Sequence, residues 1–245
     1  MDVSVIIPAK DERGYIGSML LALEQQTYGG VWETIVVDNA SSDRTGDAVR
    51  QAFPWVRVVE EPTSGVQRAR ERGRLAATGE IFAFLDADTI PSERWLEQGV
   101  RYFQDPSVVA VTGPYDFYDS GPFLQMGARF VSAYIYPLAL RCAQDLLGRG
   151  IMAGGNCFIR ARALEAIDGF NTAIEFWGDD TDTAVRLAQV GRIVYGRDAK
   201  VRTSARRYYR EGILKTLWGY TYHAVRISSR ALRERKPALN QTPRL

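Results

Sequence analysis

The sequence predicts an α/β protein built on a mostly parallel central sheet flanked by helices. Three observations carry that expectation. Short apolar runs of strand length alternate with segments whose apolar residues recur at helical spacing. The strongest run, Ile81-Phe82-Ala83-Phe84-Leu85, is apolar throughout, as a strand buried on both faces should be. Asp11, Glu12, Asp38, Asp86 and Asp88 each follow such a run, and in open parallel sheets ligands gather beyond the carboxyl ends of the strands.

Taken in order, Val3–Ile7 is a strand ended by Pro8. Asp11 and Glu12 are expected to open a helix whose inner face is Ile16, Met19, Leu20 and Leu23, broken at Gly29-Gly30. Thr34–Val37 forms a second strand delivering Asp38. Turn chemistry follows from Asn39 to Asp43, then a helix from about Thr45 to Phe53 and a strand at Val56–Val59. Val66, Ala69, Gly73, Ala76 and Ala77 line a helix small enough to pack close to the sheet, and Gly79-Glu80 turns into the Ile81 strand. A helix around Ser92–Phe103 and a strand at Val108–Thr112 come next. Gly121-Pro122 starts a long, mostly apolar helix to Leu147, stopped by Gly148-Arg149-Gly150. A loop at Met152–Gly155 runs into a strand through Ile159, and a short helix covers Ala161–Ile167. Asp179-Asp180 after Gly178 favour a helix start. Ile193–Tyr195 reads as the last strand, followed by a basic amphipathic helix from Tyr209 to Arg235 and a frayed end from Ala238 to Leu245. Alternation of this kind implies right-handed crossovers and parallel pairing.

The 245 residues suffice for one sizeable core. We expect two halves of one domain, 1–112 and 113–200, and a basic helical extension at 201–245. A net charge of +2 gives no chain-wide field for nucleic acid. The charge is uneven, with eleven basic and two acidic residues from Lys200 to Lys236. Cys142 and Cys157 make neither a disulfide framework nor a C-x-x-C pair, as in a reducing, cytoplasmic setting. No apolar run reaches the roughly 20 residues of a membrane span. The start of the chain carries no signal-peptide pattern. The carboxylates of Asp86-Ala87-Asp88 suit Mg²⁺ or Mn²⁺ arriving with substrate phosphates.

The first turn separates two nucleotide-binding classes. A dinucleotide-binding unit needs G-x-G-x-x-G after its first strand, but the turn here is Pro8-Ala9-Lys10-Asp11-Glu12. A nucleotidyltransferase would need a glycine-rich, basic phosphate loop there, and it is missing as well. Three ordered segments instead resemble the family 2 glycosyltransferases: Val3 to Glu12, Ile35 to Thr45 and Phe84 to Asp88. The likeness continues through Gly154-Gly155-Asn156, Gly169-Phe170 and Trp177 to Asp182, covering roughly Val3 to Tyr195. The resemblance implies the GT-A fold and transfer of a sugar from a nucleotide diphosphate, generally with inversion, and makes 1–112 the nucleotide-sugar (donor) binding half and 113–200 the acceptor-binding and catalytic half.

Carried over by position, the resemblance implies these roles. Pro8, Ala9, Lys10 and Glu12 would hold the nucleoside and Asp38 the base, unless Asp38 only caps the next helix. Arg70, in the G-x-x-x-A-R segment after Gly65, would approach the nucleotide. Asp86 and Ala87 would meet the ribose, and Asp88, with Asp86, a Mn²⁺ or Mg²⁺ ion. Gly155, Asn156, Trp177, Gly178 and Asp179 would face the acceptor, and Asp180 would be the general base. Asp179 stands where the family usually has Glu. The family's common His after the last strand is absent, and Arg206 and Arg207 are expected to clamp the diphosphate instead. His223, the only histidine, is a helix residue that is more readily packed than ligating. The expected donor is a UDP-sugar. The two long helices suggest a lipid-linked acceptor and a peripheral membrane position, or else cover the sheet or pair a homodimer. The alternative function is a catalytically silent sugar-nucleotide-binding protein of the same fold.

Overall fold

The computed structural model spans the whole chain and describes residues 1–174, 178–213, 215, 216, 218, 219 and 222. In chain order the elements are β1 (Val3–Ala9), α1 (Ile16–Glu24), β2 (Trp32–Asp38), α2 (Thr45–Ala52), β3 (Arg57–Glu60), α3 (Val66–Ala76), β4 (Ile81–Leu85), β5 (Thr89–Pro91) and α4 (Trp95–Val100). A 3-10 turn, Arg101–Gln104, extends α4. Then come β6 (Val108–Thr112), β7 (Tyr115–Phe117), α5 (Pro122–Phe130), a π-helical turn at Val131–Ile135, α6 (Tyr136–Leu147), β8 (Asn156–Arg160), α7 (Ala161–Ala166), α8 (Asp179–Leu187), β9 (Arg192–Tyr195), β10 (Val201–Thr203) and α9 (Arg206–Glu211).

Seven strands form the main sheet in the order β3-β2-β1-β4-β8-β6-β9. Pairing is parallel except at β8, which runs antiparallel to both β4 and β6. The pleat sends successive side chains to opposite faces. Ile7 and Leu85 therefore join Met19, Leu20 and Trp95 in one apolar layer. Ile6 and Phe84 join Leu164 and Phe170 in the other. Burying side chains of this size contributes roughly 1.5–3 kcal/mol each. Helix α3 lies against β1 because Gly73 permits it: a Cβ there would sit 2.3 Å from Ile6 Cγ2.

Several elements differ from the sequence reading. Helix α1 begins at Ile16, not Asp11, because Asp11 takes a left-handed conformation (φ 55°) and Glu12 caps the helix through its carbonyl. A second, three-stranded sheet, β5-β10-β7, goes unpredicted. Three-residue strands leave no alternation to read, and they exist only because they pair across the chain. Ile193–Tyr195 is thus not the last strand. Residues 201–203 belong to this small sheet, so the expected helical extension does not begin at residue 201. The first helix after β10 begins at Arg206 rather than Tyr209 and is interrupted at Gly212, where φ is +89°. The larger part of the expected Tyr209–Arg235 helix, and His223, lie outside the described residues.

Candidate functional site

The register of the sheet builds the site. Ala9 stands opposite Asp38, and Ile6 opposite Phe84, so the carboxyl ends of β1, β2 and β4 open on one edge. Beyond Leu85 the alternation persists: Ala87 is buried, while Asp86 and Asp88 are partly exposed. Gly154 and Gly155 let the entry to β8 pass against these carboxylates. A Cβ on Gly155 would sit 2.0 Å from Asp86 Oδ2, and one on Gly154 would sit 2.1 Å from Asp180 Oδ1.

Arg70 organises the side formed by the start of α8. Its side chain is 5% exposed, and Nη1 donates to Asp179 Oδ2 at 2.9 Å and to Asp180 Oδ1 at 2.7 Å. Nη2 lies 3.8 Å from Asp86 Oδ1. The second oxygen of Asp180 accepts from the Gly154 N–H at 2.8 Å. Arg70 is expected from the sequence to approach the nucleotide, but its guanidinium is instead committed to the three aspartates. Burial, reinforced by repulsion from Asp180, pushes the Asp179 carboxyl well above the usual carboxylate range, with Arg70 opposing. Burial also pushes Asp86 up to about 6; Arg70 and Arg207 oppose the rise, and Asp88 and Asp180 add to it.

The side formed by Glu12 and Asp88 is held by a second arginine. Arg206 donates to Glu12 Oε1, lies 3.0 Å from Asp88 Oδ2 and stacks over the Tyr15 ring at 4.2 Å. Burial raises the Glu12 carboxyl despite Arg206, and its Oε2 is buried without a partner. Asp119 fastens the segment carrying Arg206, accepting from Ser204 Oγ and, at 2.6 Å, from the Ala205 N–H. Thr203 Oγ1 stands 3.4 Å from Asp88 Oδ1 and accepts from Thr89 Oγ1 at 3.0 Å. Tyr118 Oη donates to the Asp88 carbonyl at 3.4 Å. Tyr15, Tyr118, Asp119 and Thr203 have no signal in the sequence, because the small sheet that gathers the last three does not show there.

The other expected residues divide. Lys10 Nζ donates to Ser64 Oγ at 2.7 Å on the exposed rim. Ala9 is buried, so only its backbone could face a nucleoside. Asp38 accepts from the Ser41 and Gly46 N–H groups, both at 3.1 Å, and so braces the start of α2. Asn156 is a correction: it is fully buried rather than acceptor-facing. It accepts from Trp95 Nε1 at 2.9 Å and donates to the carbonyls of Ala199 and Pro114 at 3.0 and 3.2 Å, fastening β8 to the Pro114 and Ala199 loops. Gly178 starts α8 in a left-handed conformation (φ 87°). Trp177 lies outside the described residues.

Acidic side chains are concentrated at these strand ends. Glu12, Asp86, Asp88, Asp179 and Asp180 bring five carboxylates against the guanidiniums of Arg70, Arg206 and Arg207, leaving negative charge in excess. Among the described residues no group of three or more acidic, His or Cys side chains could hold an ion. Asp86 and Asp88 would therefore supply only part of a coordination shell, leaving room for phosphate oxygens and water.

Comparison with known proteins bears on the family and the fold. A curated relative, the glycosyltransferase AglE of Haloferax volcanii, is 31% identical over 72% of this chain and 58% of its own length. The beta-monoglucosyldiacylglycerol synthase of Synechocystis is 29% identical over 76% of this chain and 40% of its own. The chain thus spans about 40 to 60% of these relatives. Among solved structures, the mannosyltransferase PcManGT from Pyrobaculum calidifontis, in complex with GDP-Man and Mn²⁺, superposes with a TM-score of 0.72. It is 27% identical, over 96% of this chain and 65% of that one. Glucosyl-3-phosphoglycerate synthase from Mycobacterium tuberculosis shares the fold at a TM-score of 0.65 and 18% identity, over 93% of this chain and 78% of that one. The model of the glycosyl transferase family 2 matches residues 4–168, and the chain belongs to that family.

Proposed function

We propose that this chain transfers a sugar from a nucleotide diphosphate to an acceptor hydroxyl, with inversion at the anomeric carbon. One observation carries the reading. Asp86 and Asp180, far apart in the chain, meet on the two nitrogens of a single buried guanidinium at the strand ends where a donor would lie. Asp180 takes the acceptor proton as that oxygen attacks the anomeric carbon, and the bond from that carbon to the diphosphate breaks on the opposite side. Asp88 and Asp86 are the residues that would hold a divalent cation. Such an ion would neutralise charge developing on the departing diphosphate. Arg70 keeps Asp180 oriented, and Arg207 adds positive charge beside Asp86. The presence of Mn²⁺ with GDP-Man in the mannosyltransferase structure supports the metal and the donor class.

Asp88→Asn and Asp180→Asn test the roles. Each should lower sugar-nucleotide turnover by about 10²- to 10⁴-fold, the usual scale for losing a group that acts on the transition state. Wild-type rates in both variants would refute the assignment. A second reading, donor binding without turnover, is favoured by the partners already held by both Asp180 oxygens. Nucleotide binding by calorimetry, with neither transfer nor donor hydrolysis across UDP- and GDP-sugars, would decide for it.

For the acceptor, we propose a lipid-linked molecule at a membrane surface. Phe123, Met126, Phe130, Tyr134 and Leu138 recur at helical spacing along α5, the π-helical turn and α6 and are all exposed, Phe123 to 87%. Arg197, Lys200 and Arg202 lie nearby, lining a groove of about 1120 Å³ that also takes in Ser132 and Ala133 between the two helices. No helix among the described residues is long and apolar enough to cross a membrane.

A further inference from the structure

The pairing of Arg206 has a consequence for how a cation reaches the donor site. Its guanidinium sits on Asp88, the residue proposed to take a divalent ion, and on Glu12. The Glu12 and Asp88 side chains are only 16% and 14% exposed, so a charge between them is poorly screened. Arg206 is also fixed from two further sides. The Tyr15 ring lies beneath it at 4.2 Å, and Asp119 fastens the two residues before it. An arginine held in this way is a resident positive charge on the ligand that a metal needs.

We propose that Arg206 is a built-in competitor for the donor-site cation, which makes metal binding conditional on the nucleotide diphosphate. A guanidinium and a divalent ion cannot both lie within 3 Å of Asp88 Oδ2 without strong mutual repulsion. A diphosphate offers the guanidinium a better partner, because its oxygens accept the arginine fork in bidentate fashion. Once the nucleotide is present, Arg206 moves its hydrogen bonds from carboxylate to phosphate oxygens and frees Asp88. Metal and nucleotide then bind with positive coupling, and linkage requires the coupling to be reciprocal. The same arginine thereby guards against a cation binding where there is no leaving group to neutralise. This rests on the donor-site reading above.

Mn²⁺ titration followed by electron paramagnetic resonance, with and without UDP or GDP, reads the coupling directly. For the wild type, the nucleotide that binds should tighten the Mn²⁺ dissociation constant by about 10-fold or more, within the usual range of such couplings. In Arg206→Gln, Mn²⁺ should bind about 10-fold tighter without nucleotide, and the nucleotide-induced tightening should shrink correspondingly. Tyr15→Leu leaves every charge in place and removes only the ring beneath the guanidinium. It should shift Mn²⁺ affinity in the same direction by a smaller factor, and it covers the case in which the Arg206 variant fails to fold. Unchanged or weaker nucleotide-free Mn²⁺ affinity in both variants overturns the proposal, as does a wild type that binds Mn²⁺ equally with and without nucleotide. Mn²⁺-independent sugar transfer would overturn the competitor role while leaving the glycosyltransferase reading intact. Absence of any nucleotide binding would overturn both.

Discussion

At the scale of single residues, Arg70 and Gly154 set the positions of Asp179 and Asp180 at the start of α8. Arg70→Met removes the only cation contacting Asp179 and Asp180 among the described residues and leaves two largely buried carboxylates facing each other. Stripping one partner from a buried ion pair typically costs about 3–5 kcal/mol. Urea denaturation of Arg70→Met should show a loss on that scale, and Arg70→Lys a smaller one, since it restores charge without the fork. Gly154→Ala tests placement. The new methyl would stand 2.1 Å from Asp180 Oδ1 and 2.6 Å from Arg70 Nη1, so the carboxylate must move. Misplacement of a reacting group by about 1 Å costs on the order of 10²-fold in rate. The expected outcome is a fall in turnover of that size at a donor Kd close to wild type, read by steady-state kinetics beside calorimetry.

At the scale of elements, the sheet is tied at the end remote from the site. Glu33 Oε1 on β2 accepts from Ser4 Oγ on β1 at 2.7 Å and from Thr78 Oγ1 and N–H at 2.7 and 2.9 Å. Ser4 Oγ also accepts from the Gly79 N–H at 2.9 Å, just before β4. Burial pushes the Glu33 carboxyl up, but these hydrogen bonds outweigh it and hold it below its ordinary value of 4.5. A carboxylate lowered in the folded state stabilises the fold above the unfolded value. That contribution is lost as pH falls below 4.5 toward the lowered folded value. Glu33→Gln should therefore cost about 1 kcal/mol at pH 7, discounted for partial exposure. The acid limb of stability should also become shallower in the variant. Urea midpoints at pH 7 and pH 3.5 check both, and an equal loss at the two pH values would refute the assignment. Sequence shows Ser4, Glu33 and Thr78 only as ordinary polar residues, because what matters is a register that brings three strand ends together.

At the scale of the whole molecule, the exposed ridge of α5 and α6 and the nearby cations predict docking on anionic lipid. Co-sedimentation with vesicles of phosphatidylglycerol should exceed that with phosphatidylcholine alone and fall as salt rises. Replacing Phe123 and Phe130 with Asp should abolish it while leaving sugar-nucleotide binding unchanged. Retention that ignores lipid charge would favour a homodimer or a bare apolar face instead.

The central sheet was readable in the sequence because burial on both faces imposes apolar runs, and helices on both sides impose a different period between them. The carboxylates were readable because strand ends are where an α/β sheet leaves polar residues. Asp86 and Asp88 show themselves in this way at the end of β4, whereas Asp180 opens α8 and was singled out only by the resemblance to the family's motif. Tertiary structure alone decided who pairs with whom. Arg70 serves the acids of α8 rather than the nucleotide, Asn156 is spent on holding β8, and Arg206 reaches Glu12 across 194 positions of chain. Periodicity is a local property set by solvent exposure along one element. Charge pairing depends on distances and screening that exist only once the small β5-β10-β7 sheet has folded the later segment back over the strand ends.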